Sequence, residues 1–314
     1  MKKLVIATRG SKLALWQSEH IKKVLEDAHQ GLEVELKVMK TKGDIILDTS
    51  LAKIGGKGLF TKELEEAMLR GEAHIAVHSL KDMPIEFPDG LKLAIITKRE
   101  DVRDALLSQK YKSIDELPQN AVVGTTSLRR RMQILALRPD LVIKNLRGNI
   151  NTRIRKLKEG EYDAIILAAA GINRLGLSGE VNFVTPISTT EMIPAMGQAA
   201  LGIESIDDPK VLELISILGD EEATIETTIE RDFVGLLEGG CQVPIGVNAK
   251  IKGNEIIVRS IVGMPDGTEL LKEKSLGKKS DYRLIGKELA DTMIENGAIK
   301  LLKRAEELAL KEIL

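Results

Sequence analysis

The feature that most constrains this chain is a strand, turn and helix grammar that runs through it twice. Residues 4–8 form a short apolar run suited to a buried parallel strand, followed at once by Arg9-Gly10-Ser11 and a helical pattern. Leu13, Trp16, Ile21, Val24, Leu25 and Ala28 recur at helical spacing, so residues 12–28 are expected to form a helix. Residues 33–39 alternate as a strand does, 57–69 carry a helical pattern, and 74–78 form a second buried strand that ends in a loop. The grammar returns after residue 100, with strands at 121–124, 141–146 and 164–168 and helices at 127–137 and 150–158. Alternation of this kind belongs to α/β folds, so two such units are expected in succession.

Beyond the second unit the pattern changes. Asp207-Asp208-Pro209 opens a helix, Leu218-Gly219-Asp220 breaks it, and 221–237 is a long helical pattern that closes on Gly239-Gly240. A boundary is expected near residue 219. Residues 245–251, 255–262 and 268–274 then read as strands and 281–312 as helical, which describes a small α+β unit. A chain of 314 residues exceeds one ordinary core, in keeping with two to three domains.

Composition narrows the function classes. Hydrophobic residues at 43% with charged residues at 30% suit a globular protein, and no segment approaches the length of a membrane span. Arg9 and Lys12 interrupt the initial apolar run before it could act as a signal peptide. A single cysteine, Cys241, can make neither an internal disulfide nor a thiolate metal cluster, so the reducing cytoplasm is the expected compartment. The net charge of −1 argues against a surface that attracts nucleic acid everywhere. Local clustering is another matter: Arg129, Arg130, Arg131, Arg138, Arg147, Arg153 and Arg155 crowd one stretch, a candidate anion site.

The residues that could carry chemistry sit where strands give way to helices, the usual ligand position in an open α/β sheet. Thr8-Arg9-Gly10-Ser11, Gly124-Thr-Thr-Ser-Leu-Arg-Arg130 and Leu146-Arg-Gly-Asn-Ile-Asn-Thr-Arg153 each combine hydroxyl or amide groups with arginine. Guanidinium grips a carboxylate through two parallel hydrogen bonds, so three such turns facing one cleft would suit a ligand with several carboxylates, or a phosphate. Taken singly, the same hydroxyls are ordinary helix caps. The basic loop Lys53-Ile-Gly-Gly-Lys57 lacks the spacing of a nucleotide-binding P-loop. In His78-Ser-Leu-Lys81-Asp82-Met-Pro84 a cation stands beside a carboxylate at the expected cleft mouth. Asp82 could accept a hydrogen bond from a ligand and stabilise positive charge as a leaving group departs, or serve as a turn residue paired with Lys81. Cys241 follows two glycines in Glu238-Gly-Gly-Cys-Gln-Val-Pro-Ile-Gly246, where a ligand could approach closely; a lone cysteine is equally at home as a small buried hydrophobe.

Together these segments resemble the porphobilinogen deaminases. Thr8-Arg-Gly-Ser-x-Leu-Ala-Leu15, Gly55-Gly-Lys-Gly-Leu-Phe60, His78-Ser-Leu-Lys-Asp-Met-Pro84 and Gly124-Thr-Thr-Ser-Leu-Arg-Arg130 occur in that family's order. Leu146-Arg-Gly-Asn-Ile-x-Thr-Arg153, Leu167-Ala-Ala-Ala-Gly-Ile-x-Arg-Leu-Gly176 and the Cys241 segment complete the series. The resemblance implies an α/β fold of two periplasmic-binding-protein-like domains plus a smaller α+β C-terminal domain. Its divisions would be 1–98 with 198–217, carrying Asp82; 99–197, carrying the arginine-rich anion site; and 218–314, carrying Cys241.

The resemblance also implies the chemistry. Cys241 would carry dipyrromethane, a two-pyrrole primer made from the substrate, through a thioether. Lys81, Thr125, Ser127, Arg129, Arg130, Arg147 and Gly148 would bind this cofactor, and Arg9, Ser11, Lys53, Phe60, Arg153, Arg174 and Gln198 the substrate, porphobilinogen. Asp82 would hold pyrrole nitrogens as ammonia leaves. Four units would be joined head to tail and released by hydrolysis as hydroxymethylbilane, by a cytoplasmic monomer without a metal, nucleic acid or membrane partner. Movement of the two α/β domains, with 53–60 as a lid, would accommodate the growing chain. One departure is visible: residue 199 is alanine where the family leads one to expect glycine. Two other classes remain as alternatives. A non-catalytic anion-binding module would leave Cys241 unmodified, and a nucleic-acid binder would show steep salt dependence with little help from aromatics at 3%.

Overall fold

The structure, a computed structural model, describes residues 1–41, 43, 61–237 and 243–311. The first apolar run becomes β1 (Lys3–Arg9), which pairs in parallel with β2 (Glu33–Met39) and with β3 (Ile75–Ser79). The helix Lys12–Ala28 begins where Ser11 Oγ accepts the backbone N–H of Ala14. Its apolar stripe buries Ile21 and Leu25 in one cluster with Leu4, Ile6 and Val34, and each such side chain contributes about 1.5–3 kcal/mol.

Both sheets are mixed rather than purely parallel. The first has the order β2-β1-β3-β10-β4, with β4 at Leu91–Ile96 and β10 at Leu201–Ile206, and β10 runs antiparallel to both its neighbours. The second contains β5 (Asp104–Ser108), β6 (Val122–Gly124), β7 (Val142–Lys144), β8 (Ala164–Ala168) and β9 (Phe183–Pro186). Its order is β7-β6-β8-β5-β9, and β5 is the antiparallel strand. The two sheets thus share one plan. In each, the antiparallel strand is the first that the chain lays down after crossing from the other sheet. The crossing segments run side by side: Thr97 N–H donates to the Leu201 carbonyl and Glu100 N–H to that of Ala199.

The third unit is an antiparallel sheet of β11 (Ile245–Lys252), β12 (Glu255–Gly263) and β13 (Leu270–Lys278). It packs with the helices Glu221–Leu236, Tyr282–Glu295 and Ala298–Lys311 around Phe233, Val247, Val258 and Met293. The helical pattern expected over 281–312 is divided at Asn296-Gly297, because Gly297 adopts φ 96° and ends one helix before the next starts. The helix expected over 57–69 is present as Lys62–Leu69, and 57–60 lie outside the described residues. The strand expected over 141–146 is only Val142–Lys144, since the chain then turns toward the next helix. Among the described residues no helix is long and apolar enough to cross a membrane.

Candidate active site

β3 ends in a single 3-10 turn, Leu80–Asp82. Leu80 is fully buried and its N–H donates to the Ala200 carbonyl, so the turn is pinned at its apolar residue and presents the two that follow. Asp82 is exposed and lines a niche of about 80 Å³ with Arg9, Ser11, Gln17, His78 and Ser79. Gln17 Nε2 donates to Ser79 Oγ at 2.8 Å, tying the first helix to this turn. Lys81 Nζ donates to Gln198 Oε1 at 3.3 Å. Burial pushes the Lys81 ammonium down to about 8, with the nearby charge of Asp82 opposing the shift and that of Arg130 adding to it.

Gln198 connects this turn to a second cluster, because its Nε2 donates to the Val102 carbonyl and to Asp104 Oδ1. Asp104 begins β5 at zero exposure. It accepts Arg129 Nη1 at 2.7 Å and, from Arg130, Nε at 3.0 Å and Nη2 at 2.8 Å. Burial works to raise the Asp104 carboxyl, but the two guanidiniums and Lys81 outweigh it and hold the group below the usual carboxylate range. Both arginines stand in the first turn of the helix Leu128–Leu137, whose cap is Ser127: its Oγ accepts the Arg130 N–H. Thr125 Oγ1 accepts the Ser127 N–H. These hydroxyls therefore cap, and by capping they fix where the arginines project.

The third turn behaves alike. Asn149 caps the helix Ile150–Lys158 by accepting the Thr152 N–H, and Arg153 Nε donates to the Gly148 carbonyl at 2.8 Å. Gly148 has φ 108°, and a Cβ there would lie 2.8 Å from Thr152 Cγ2, so the turn requires glycine on both counts. Burial, then the neighbouring Arg130, pushes the half-buried Arg153 down to about 10, while Asp82 acts in the opposite direction. Arg147 lies half-buried in the same turn. Arg174 ends the helix Ala169–Arg174 and donates from Nη2 to the Ala199 carbonyl at 2.6 Å.

Of the residues expected from the sequence, the structure thus gathers Lys81, Asp82, Arg129, Arg130, Arg153 and Gln198 into one charge-coupled group, with Arg9 and Ser11 beside Asp82. Lys53, Phe60 and Cys241 lie outside the described residues. Sequence reasoning missed Asp104, Gln17 and Arg99. Gln17 was visible as a polar residue between Leu13 and Ile21 on the helix's apolar stripe, and Asp104 as an acid opening the apolar run Ala105-Leu-Leu107. Arg99 donates to Gln198's carbonyl and to Glu230 of the third unit, so its role depends wholly on tertiary placement. His78 packs: its Nε2 meets Glu204 Oε2 at 3.0 Å, both side chains being buried.

Around this group four cations, Lys81, Arg129, Arg130 and Arg153, face two carboxylates, Asp82 and Asp104. The surplus is positive and partly desolvated, the condition for holding several ligand carboxylates. A larger cleft of about 280 Å³ lies between β4 and the helix Glu221–Leu236, and it includes none of the expected site residues. Among the described residues no cluster of His, Cys, Asp and Glu could hold a metal ion.

Comparison with known proteins gives this charge pattern a family. Residues 4–213 match the model described as "Porphobilinogen deaminase, dipyromethane cofactor binding domain", and residues 224–295 match "Porphobilinogen deaminase, C-terminal domain". The chain is 64% identical over 309 residues to the porphobilinogen deaminase of Campylobacter curvus, covering 98% of this chain and 99% of that protein. It is 66% identical over 307 residues to that of Sulfurimonas denitrificans, covering 98% of each. Among solved structures it is similar to a TRAP periplasmic solute binding protein from Desulfovibrio salexigens, with a TM-score of 0.42 at 14% identity, covering 70% of this chain and 73% of that one. The chain belongs to the porphobilinogen deaminase family, transferases of tetrapyrrole biosynthesis that use a dipyrromethane cofactor.

Proposed function

We propose that the cationic group at Lys81, Arg129, Arg130 and Arg153 holds the carboxylates of the dipyrromethane and of the incoming pyrroles, and that Asp82 is the catalytic carboxylate beside it. The observation that carries this reading is the four-to-two imbalance of charge in the group, in which the four cations and Asp104 are buried or half-buried and Asp82 alone is exposed. The donor set fits a bipyrrole with acidic side chains: the surplus cations match carboxylates, and Asp82 is the one member of the group that is both anionic and exposed. When bound through Cys241, the cofactor supplies the free pyrrole terminus to which porphobilinogen units are added.

The chain's own residues then divide the work. Asp82 accepts pyrrole N–H groups and stabilises the positive charge that develops as ammonia departs. Arg129 and Arg130, fixed on one side by Asp104, present their remaining donors to carboxylates, with Lys81 adding a further charge from across the cleft. Thr125, Ser127 and Gly148 set the turns from which these groups project, and Arg147 adds a cation at the third. Arg9, Ser11 and Arg174 bind the arriving unit, together with Lys53 and Phe60, whereas Gln198, expected to touch that unit, is fully buried and bonded to Lys81, Val102 and Asp104, so it orients Lys81 instead. Holding the chain end beside an activated monomer replaces a bimolecular encounter with a positioned one.

The reading divides the molecule into 1–98 with 198–217, 99–197 and 218–314, and describes a cytoplasmic monomer that releases hydroxymethylbilane after four additions. Intact mass of the purified protein beside its Cys241→Ala variant tests it. Wild type should carry the mass of two porphobilinogen units less ammonia, and the variant should not. Wild type that stays unmodified after incubation with porphobilinogen or hydroxymethylbilane would overturn the covalent reading.

A further inference from the structure

Arg174 belongs by chain connectivity to the second sheet, since its helix continues directly from β8, yet its side chain ends on residues associated with the first. Its guanidinium carbon lies 5.9 Å from the centre of the Trp16 ring, on the helix that follows β1. Trp16 is itself stacked on His20, with centroids 5.2 Å apart and planes inclined by 10°. The guanidinium's second contact is the Ala199 carbonyl in the second crossing segment. Ala199 adopts φ 76°, the left-handed region, where a residue with a Cβ is disfavoured by roughly 1–2 kcal/mol. The same carbonyl accepts the Glu100 N–H, so this unfavourable turn is held by the neighbouring crossing strand.

These contacts leave part of the guanidinium available. Among the described residues Nη2 makes its hydrogen bond to protein, and the ring satisfies charge without consuming a donor. Burial lowers the Arg174 pKa, and Glu100 provides the opposing charge while its carboxylate accepts Asn173 Nδ2 instead. A long arginine stem on the last residue of a short helix would otherwise sample many rotamers.

We propose that Trp16 is a positioning residue: its ring, together with the Ala199 carbonyl, seats the Arg174 guanidinium between the two sheets and aims the remaining donors at a substrate carboxylate. This rests on the substrate-binding role of Arg174 given above. The seat joins both sheets and a crossing segment at one cation, so it couples the aim of that cation to the relative placement of the sheets.

The test is a double-mutant cycle on the cofactor-loaded enzyme, with kcat and KM for porphobilinogen measured for Trp16→Leu, Trp16→Phe, Arg174→Gln and Trp16→Leu/Arg174→Gln. Removing the ring face should lower kcat/KM by roughly 3- to 30-fold. Trp16→Phe, which retains an aromatic face, should recover most of that loss. The double variant should be no worse than Arg174→Gln alone, because Trp16 acts through Arg174. Losses that multiply in the double variant, or an unimpaired Trp16→Leu beside an impaired Arg174→Gln, would overturn the seat while leaving Arg174 in the site. An unimpaired Arg174→Gln would instead remove the substrate-binding role itself. Should Trp16→Leu fail to fold, Arg174→Gln still decides: this chain has one tryptophan, and its emission should shift when the cation is lost. The His20 pKa, which Arg174 helps depress, should also rise in that variant, and an unchanged spectrum and titration would reject the seat.

Discussion

Lys81 meets opposing requirements at the scale of a single side chain. A ligand with several carboxylates needs its charge, but the folded protein desolvates that charge and pushes the group down to about 8 from 10.5. Below both values the ammonium is protonated in folded and unfolded states alike, and folding bears the full desolvation cost. Between them the unfolded chain binds the proton that the folded one has lost, so stability contributed by this group rises with pH. Bound carboxylates offset that cost by setting negative charge beside the ammonium. The cofactor-loaded protein should therefore melt above the Cys241→Ala variant by a margin that is largest near pH 7 and narrows from about pH 8 to 10.5. Melting temperatures of both forms across that range check it; a margin that is constant or widens would reject the assignment to Lys81. Asp104 shows the complementary arrangement, a fully buried carboxylate that stays ionised because two forked guanidiniums supply the hydrogen bonds that water would have given.

At the scale of elements, the turns after β1, β6 and β7 share one device: a side-chain oxygen caps the next helix with an arginine close by in sequence, ahead of the cap at Arg9 and beyond it at Arg129, Arg130 and Arg153. Gly148 is the tightest point of that device. Gly148→Ala would combine a disfavoured φ with a methyl group against Thr152, and should lower stability by about 1–3 kcal/mol while displacing Arg153. Urea titration together with kcat/KM measures both effects, and a variant that keeps wild-type values in each would show that the turn relaxes freely. These turns were legible in the sequence because glycine, hydroxyl and arginine stood at the ends of apolar runs. β4, β5, β9 and β10 were not. β5 opens with the buried Asp104, and β10 contains Gly202 and Glu204, so neither reads as an apolar run. β9 has four residues and ends in Pro186, which is too short to display a period. Ala199 was visible as a departure from the family's glycine, but only the fold shows that it keeps the positive φ that glycine would favour.

Across the whole molecule, the two crossings place a late segment inside an early sheet. β10 lies between β3 and β4, so β4 has no neighbour in its sheet until residues 201–206 are available. The second sheet has no such debt, since β5 to β9 form one continuous stretch from Asp104 to Pro186. During synthesis, which advances at about 5–20 residues per second, the N-terminal sheet must therefore wait for the middle of the chain to be made and is completed after it. Released fragments ending at residue 190, compared with fragments ending at residue 260, should reveal this order by pulsed hydrogen exchange. The shorter chains should protect amides of β5 and β8 but leave those of β4 open, and the longer ones should protect both. Protection of β4 in the shorter chains would mean that it finds another partner first. The geometry that brings charged residues of both sheets together also makes translation reverse the expected order of assembly: the part of the chain born first is the one that must stay unfinished longer.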